Sequence, residues 1–218
     1  MSAAEIRTWC EENQSVPENV DKPFVVSFYI YAGPIDPEEQ DLKIVISTRR
    51  LLSLAQKSPL VQTDATYKIV WQGYPGIIVG TTDKDRRFHP FLFAVMKGET
   101  TQDFEFVFQC LHDYHLEWQP SILLADGAEA ITNAFVNVFG IPAVHIMCYF
   151  HIVQNVHLRS LGSHVCGAIC ADIHVLQLCQ NLEVFKTASS LFLTKWWKVN
   201  DSKINLSLIH ISEPTRPY

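Results

Sequence analysis

The chain has 218 residues, 48% of them hydrophobic and 18% charged, with a mean hydropathy of +0.07. These values exclude a disordered tail or a low-complexity linker, and the length suits one large domain or one domain with part of another. A formal charge of −6 argues against a chain that binds nucleic acid by bulk electrostatics alone. No run of about 18 apolar residues offers a membrane span, and Met1–Asn19 lacks the apolar core of a secretory leader. Six cysteines are too sparse for a secreted disulfide scaffold. The chain reads as soluble and intracellular.

Met1–Pro23 is polar and acidic with no clear period. Phe24–Tyr31 is β-branched and aromatic, bounded by Pro23 and Gly33-Pro34, and reads as a strand. Ile35–Gln40 is a turn, Leu42–Ser47 a second strand, and Thr48–Lys57 a short helix carrying Leu51, Leu52 and Ala55. From Val61 to Ile69 the residues alternate, with Val61, Ala65, Tyr67 and Ile69 on one face and Gln62, Asp64, Thr66 and Lys68 on the other. After the turn Gly73–Gly76, Ile77–Gly80 gives a further strand. The charged turn Asp83–Arg87 precedes another strand at Phe91–Met96. Three strands on short turns predict an antiparallel meander.

Thr101–His115 has apolar residues at Phe104, Val107, Phe108, Leu111 and Tyr114, the spacing of one buried helix face, with an N-cap at Thr100–Thr101. Ile122–Ala125 is a short strand ending on Asp126-Gly127. Ala128 to about Val138 is a helix, Ala143–Met147 a strand, and Cys148-Tyr149-Phe150-His151 opens another helix. From Gly162 to Val199 the pattern is mainly helical: Val175, Leu178, Leu182 and Phe185 recur at helical spacing, and Trp196-Trp197 closes the segment on a helical core. The order from Val61 is β-β-β-α-β-α-β-α, which predicts an α/β (α+β) mixed sheet with flanking helices.

Asp64 falls mid-strand on the polar face, and Asp126 ends a strand 62 residues later. The two strands can lie side by side, which brings the carboxylates together. Paired carboxylates repel, and a divalent cation is one way to hold them. Oxygen ligands suit Mg2+ or Mn2+, and paired metals of this kind clamp the attacking and leaving oxygens of phosphodiester displacement. On spacing alone Asp126 reads more readily as a turn or cap residue. Asp64 is harder to read as structural, because Asp is depleted in strands.

Asp64-Ala65-Thr66-Tyr67-Lys68, Gly73-Tyr74-Pro75, Phe88-His89-Pro90, Asp126-Gly127-Ala128-Glu129-Ala130-Ile131 and Cys148-Tyr149-Phe150-His151 together resemble the catalytic domain of Mutator-like element (MULE) transposases. The resemblance covers roughly Val45–Arg159. It implies a DDE transposase of ribonuclease H-like fold, with Asp64 and Asp126 as the first two members of a catalytic acidic triad holding two Mg2+ or Mn2+ ions. It further implies cleavage at the ends of a transposon and in-line attack of the freed 3′-hydroxyl on target DNA. The implied partners are the terminal repeats and target DNA, engaged through a module outside this sequence and in an oligomeric complex, and the implied location is the nucleus. The third acid of the family is a Glu beyond a helical insertion. Glu183 is the only Glu between Glu129 and the tail. It reads as part of the insertion, so the third ligand stays unassigned.

Cys148 and His151 match a Cys-x-x-His motif of the family and are expected to support the active site. Zinc there would need two more ligands, with Cys166, Cys170, His164 and His174 as candidates. Cys166 and Cys170 read instead as small apolar residues packed on a helix. Asp83–Arg87 reads as a solvated hairpin tip, with a DNA-backbone contact as the alternative. Phe104, Phe106 and Phe108 read as core.

Leu206–Arg216 resembles, residue for residue, one frame of a translated transposon-end sequencing adapter, so 206–218 is expected to be non-native and the natural protein longer. The expected organisation is 1–44 an N-terminal acidic segment and strand region, 45–160 the ribonuclease H-like core, 161–205 the start of a helical insertion, and 206–218 the tail. The leading function is a truncated DDE transposase domain, inactive as it stands. The alternative is a domesticated or decayed relative that binds DNA or regulates without catalysis. A ribonuclease H-like nuclease with another substrate is a third. Between Val61 and Ser160 there are six Lys/Arg against ten Asp/Glu, a net of −4 that does not hold DNA unaided.

Overall fold

A computed structural model describes residues 2–31, 41–66, 73–85, 87–158 and 162–197. The turn expected at Ile35–Gln40, the alternation at Tyr67–Ile69, Arg86 and the adapter-like tail lie outside these residues. The chain divides into two compact units, Met1–His145 and Ile146–Tyr218.

In the first unit the elements are α1 (Ala3–Glu12), β1 (Phe24–Tyr31), β2 (Asp41–Ser47), α2 (Arg49–Ala55), β3 (Leu60–Thr66), β4 (Gly76–Thr82), β5 (Phe88–Met96), α3 (Thr101–Tyr114), β6 (Ile122–Ala125) and α4 (Glu129–Phe139). β7 (Val144–Met147) runs across the unit boundary, and α5 (Tyr149–Leu158), α6 (Ser163–Gln177) and α7 (Leu182–Trp197) follow. Among the described residues the strands form one sheet in the order β1-β2-β5-β4-β3-β6-β7. β3, β4 and β5 make the expected antiparallel meander, and β2 pairs with β5 and β1 with β2, also antiparallel. β3 and β6 are parallel, as a helical crossover through α3 requires. The run β5-β4-β3-β6-β7, with its antiparallel meander and its parallel neighbour, is the arrangement of a ribonuclease H-like α+β fold.

Alternation along the strands places the core. Val45, Val61, Ile77, Val79, Ala94 and Leu123 are buried on one face of the sheet. There they meet Leu52 and Ala55 of α2, Phe104, Phe108 and Leu111 of α3, and Ile131 and Phe135 of α4. Phe108 and Phe135 cross edge to face with ring centres 5.9 Å apart, a geometry that aromatic quadrupoles favour. Phe104 and Phe108 are thus core as expected, with Phe106 partly buried against it. On the opposite face of β1 and β2, Val25, Ile30 and Ile44 pack with Cys10 of α1.

Three expectations need correction. Met1–Pro23 contains α1, whose apolar stripe is only Ala3, Ile6 and Cys10. Its signal was the Ser2–Glu5 capping box, in which each side chain meets the other's backbone N–H. The strand expected at Phe91 begins at Phe88, because β5 carries Pro90 at a bulge facing Gly80 and the ladder continues past it. Val175–Phe185 is not one helix. α6 ends at Gln177 and α7 starts at Leu182, and Val175, Leu178 and Leu182 are all exposed, so their spacing marks no buried face.

The second unit has its own core of Val156, Cys166, Ile169, Ile173, Leu176, Phe192 and Trp196. Among the described residues no helix is long and apolar enough to cross a membrane.

Candidate active site

Asp64 stands on β3 with an exposed side chain, on the face opposite the main core. The β3–β6 ladder pairs Leu60 with Ile122, Val61 with Leu123 and Gln62 with Leu124, a constant offset of 62. Continued by two residues, that offset brings Asp126 level with Asp64. Residues level across a parallel pair share a face, and adjacent strands run about 4.8 Å apart. Asp126 itself lies one residue beyond β6, and its separation from Asp64 equals the offset of the ladder. On the other flank of β3, Asp64 pairs with Ile78 of β4.

Asp126 follows the last residue of β6 and is half-buried. Its Oδ1 accepts the Ala128 N–H at 2.8 Å, the side-chain-to-backbone bond of an Asx turn. That turn carries the chain from β6 into α4, whose cap residue Ala128 has no side-chain acceptor of its own. One oxygen of Asp126 thus shapes the turn that follows β6.

Two residues before Asp64 on the same face, Gln62 Oε1 accepts the Thr82 hydroxyl at 2.6 Å. Gln62 is level with Gly80 of β4. The β4–β5 hairpin is closed by Asp83, which accepts N–H bonds from Asp85 and Arg87 and meets His89 Nε2 at 2.7 Å. His89 and then the Arg87 N–H hold the Asp83 carboxyl below the ordinary carboxylate value. Lys84, Asp85 and Arg87 are exposed, as expected of a solvated tip. Thr82 and the contact of Phe88 with Gly80 were not singled out from sequence, where Phe88 stood only within the Phe88-His89-Pro90 motif and Gln62 only on the polar face of its strand. Gly80 inside an apolar strand was the available signal, since glycine there marks a close approach.

Cys148 and His151 lie in the second unit, before and within the first turn of α5, and both are half-buried. Cys166 is buried with its Sγ directed to the Val156 carbonyl at 3.7 Å, and Cys170 Sγ lies 3.7 Å from His157 Nε2. His174 Nδ1 is 3.4 Å from the Tyr149 hydroxyl, and His164 is exposed. Cys166 and Cys170 therefore pack in the helical core, the reading preferred from sequence. Glu183 is exposed in the first turn of α7, paired with Lys186. Among the described residues no group of three or more His, Cys, Asp or Glu side chains is arranged to hold a metal ion. Asp64 and Asp126 offer the oxygen donors that a hard divalent cation takes.

The mixed sheet and its flanking helices are those of a ribonuclease H-like domain. Residues 60–155 match the family model of the MULE transposase domain, and the chain carries a MULE transposase domain over that span. No curated protein matches the chain. A transposase domain implies action on DNA, and the family is generally metal-dependent.

Proposed function

We propose that this domain performs metal-dependent DNA cleavage and strand transfer at transposon ends as a DDE transposase, with Asp64 and Asp126 as two metal-holding carboxylates. The observation that carries the reading is the parallel β3–β6 ladder, whose offset equals the separation of the two aspartates. Mg2+ or Mn2+ bound there supplies charge neutralisation for the attacking and leaving oxygens of an in-line phosphodiester displacement. Asp64 lies on an exposed position of β3, and the Ala128 N–H bond orients Asp126. Residues 45–160 form the transposase core, and 161–205 begin a helical insertion. The third carboxylate is unassigned. The chain by itself does not complete the reaction, and it works in the nucleus within an oligomer whose DNA-binding module lies elsewhere.

Because residues 61–160 are net acidic, their affinity for DNA should depend on the cation. Fluorescence anisotropy with a short labelled duplex, with Mn2+ and then with chelator, tests this. The expected result is binding that Mn2+ strengthens and that Asp64→Asn makes indifferent to Mn2+. Equal binding with and without Mn2+ in the unaltered chain would favour the non-catalytic DNA-binding reading instead. The same metal should raise the melting temperature of the chain by mass action, and Asp64→Asn should remove most of that rise.

A further inference from the structure

Within the second unit α5 and α6 lie side by side. Tyr149 of α5 meets His174 of α6 at one end, and Val156 meets Cys166 at the other, so the two helices run antiparallel. Their contact carries a second thiol. Cys170, one turn after Cys166 on α6, is a free, half-buried cysteine at the rim of the helical core. Cys166 is buried, with its Sγ on the Val156 carbonyl. Cys170 instead places its Sγ 3.7 Å from Nε2 of His157, which is exposed on α5.

That separation is the one a shared metal ion sets. With Zn–S near 2.3 Å and Zn–N near 2.0–2.1 Å, two ligands of a tetrahedral ion stand about 3.6 Å apart. Thiolate and imidazole together suit zinc, where Mg2+ and Mn2+ take oxygen donors. The place favours a cation as well, because His157 lies in the last turn of α5, at the negative end of the helix dipole. Burial, and then the neighbouring Cys166 thiol, raise the Cys170 pKa. The neutral thiol therefore faces the ring until a metal displaces its proton.

The geometry points to a zinc site at Cys170 and His157, in which the ion joins α6 to α5 and water completes the coordination from the exposed side. Two protein ligands are fewer than the four of a closed structural site, so the ion exchanges with solvent. The site shares no residue with the Cys148–His151 motif or with Asp64 and Asp126, and it does not rest on the DNA reading. Its consequence is local: an ion bound only by the folded helix pair stabilises the second unit by mass action.

The test uses the whole chain, reduced and metal-free, with Co2+ as a spectroscopic substitute for zinc. Co2+ is expected to give a thiolate-to-cobalt charge-transfer band that stoichiometric Zn2+ removes. Zn2+ should also raise the melting temperature and slow amide exchange in α5 and α6. Cys170→Ser should abolish the band and the response to Zn2+. His157→Ala should weaken Co2+ binding at least ~100-fold, as loss of a group that merely supports a ligand already costs ~10- to 100-fold. Cys179→Ser, at another half-buried thiol, should change nothing. Because His157 is exposed, its variant stays readable even if Cys170→Ser alters the fold. No band at saturating Co2+, a band that survives Cys170→Ser, or one that His157→Ala leaves at full affinity overturns the proposal.

Discussion

A methyl group added at position 80 meets the Phe88 ring at 2.6 Å and also crowds the His89 carbonyl. The backbone of β5 is held close here by its pairing with β4, Gly80 with Pro90, Thr81 with His89 and Thr82 with Phe88. Gly80→Ala should therefore cost about 1–3 kcal/mol, the usual range for overpacking, and thermal denaturation will measure it. A second residue sets a pH dependence. His145 Nε2 is enclosed without a hydrogen-bond partner among the described residues, and burial pushes the ring's pKa below the ordinary imidazole value. The folded state thus prefers the neutral ring, while the unfolded chain takes up a proton near about pH 6.5. The stability this ring contributes is full above that pH, is lost as pH falls toward the folded value, and changes no further below it. His145→Leu should flatten that acid limb in melting curves from pH 5 to 7.5. Asp64 was legible in the sequence because strands seldom tolerate Asp. Phe88 was not, because Pro90 two residues on argues against a strand there and only the pairing of β5 with β4 overrides it.

Between elements, the Lys43–Asp103 pair fastens α3 to β2 at 3.0 Å, with side chains only 12% and 6% exposed. Asp103 also closes the capping box of α3 with Thr100. Burial pushes its carboxyl upward, and the bonds from Thr100 together with Lys43 outweigh that, so its pKa lies below the ordinary value. The stabilisation is present above the unfolded carboxyl's value of about 4 and fades as pH falls below it. Asp103→Ala leaves Lys43 only the longer contact with Asp41 at 3.7 Å and opens the capping box, and should cost about 3 kcal/mol, with the ion-pair part but not the cap part recovered when Lys43→Met is added. Denaturant titration of both variants checks the order. The meander and the parallel β3–β6 pair could be read in advance, since short turns leave antiparallel pairing as the simple option and a crossover helix demands parallel pairing. α1 could not, because three small apolar contacts leave almost no periodic trace. The break between α6 and α7 also escaped, for exposed leucines imitate a buried stripe.

At the scale of the molecule, each unit encloses its own apolar core, one built on the sheet and one among α5, α6 and α7. Cavities made in either should stay local. Phe135→Ala should cost about 3–5 kcal/mol and Ile169→Ala about 2–5 kcal/mol. Amide exchange is the measurement: Ile169→Ala should accelerate exchange in α5–α7 and leave β3–β6 protected, and Phe135→Ala should do the reverse. Faster exchange in both units from either substitution would mean that the cores act as one.

The parallel seam between β3 and β6 also orders events in time. The hairpins of β3, β4 and β5 close over a few residues each, whereas β6 must wait for α3 to form and return the chain. Contacts of long sequence separation carry the larger loop-closure entropy and tend to form late. During synthesis, Asp64 leaves the ribosome well before its counterpart and spends that interval as a lone carboxylate. The β3–β6 seam is therefore a product of the last steps of folding, and a chain caught in a partly formed meander would lack the two-carboxylate site proposed for it. Leu123→Ala, placed in the seam, should then speed unfolding far more than it slows refolding, a distinction that stopped-flow kinetics resolves.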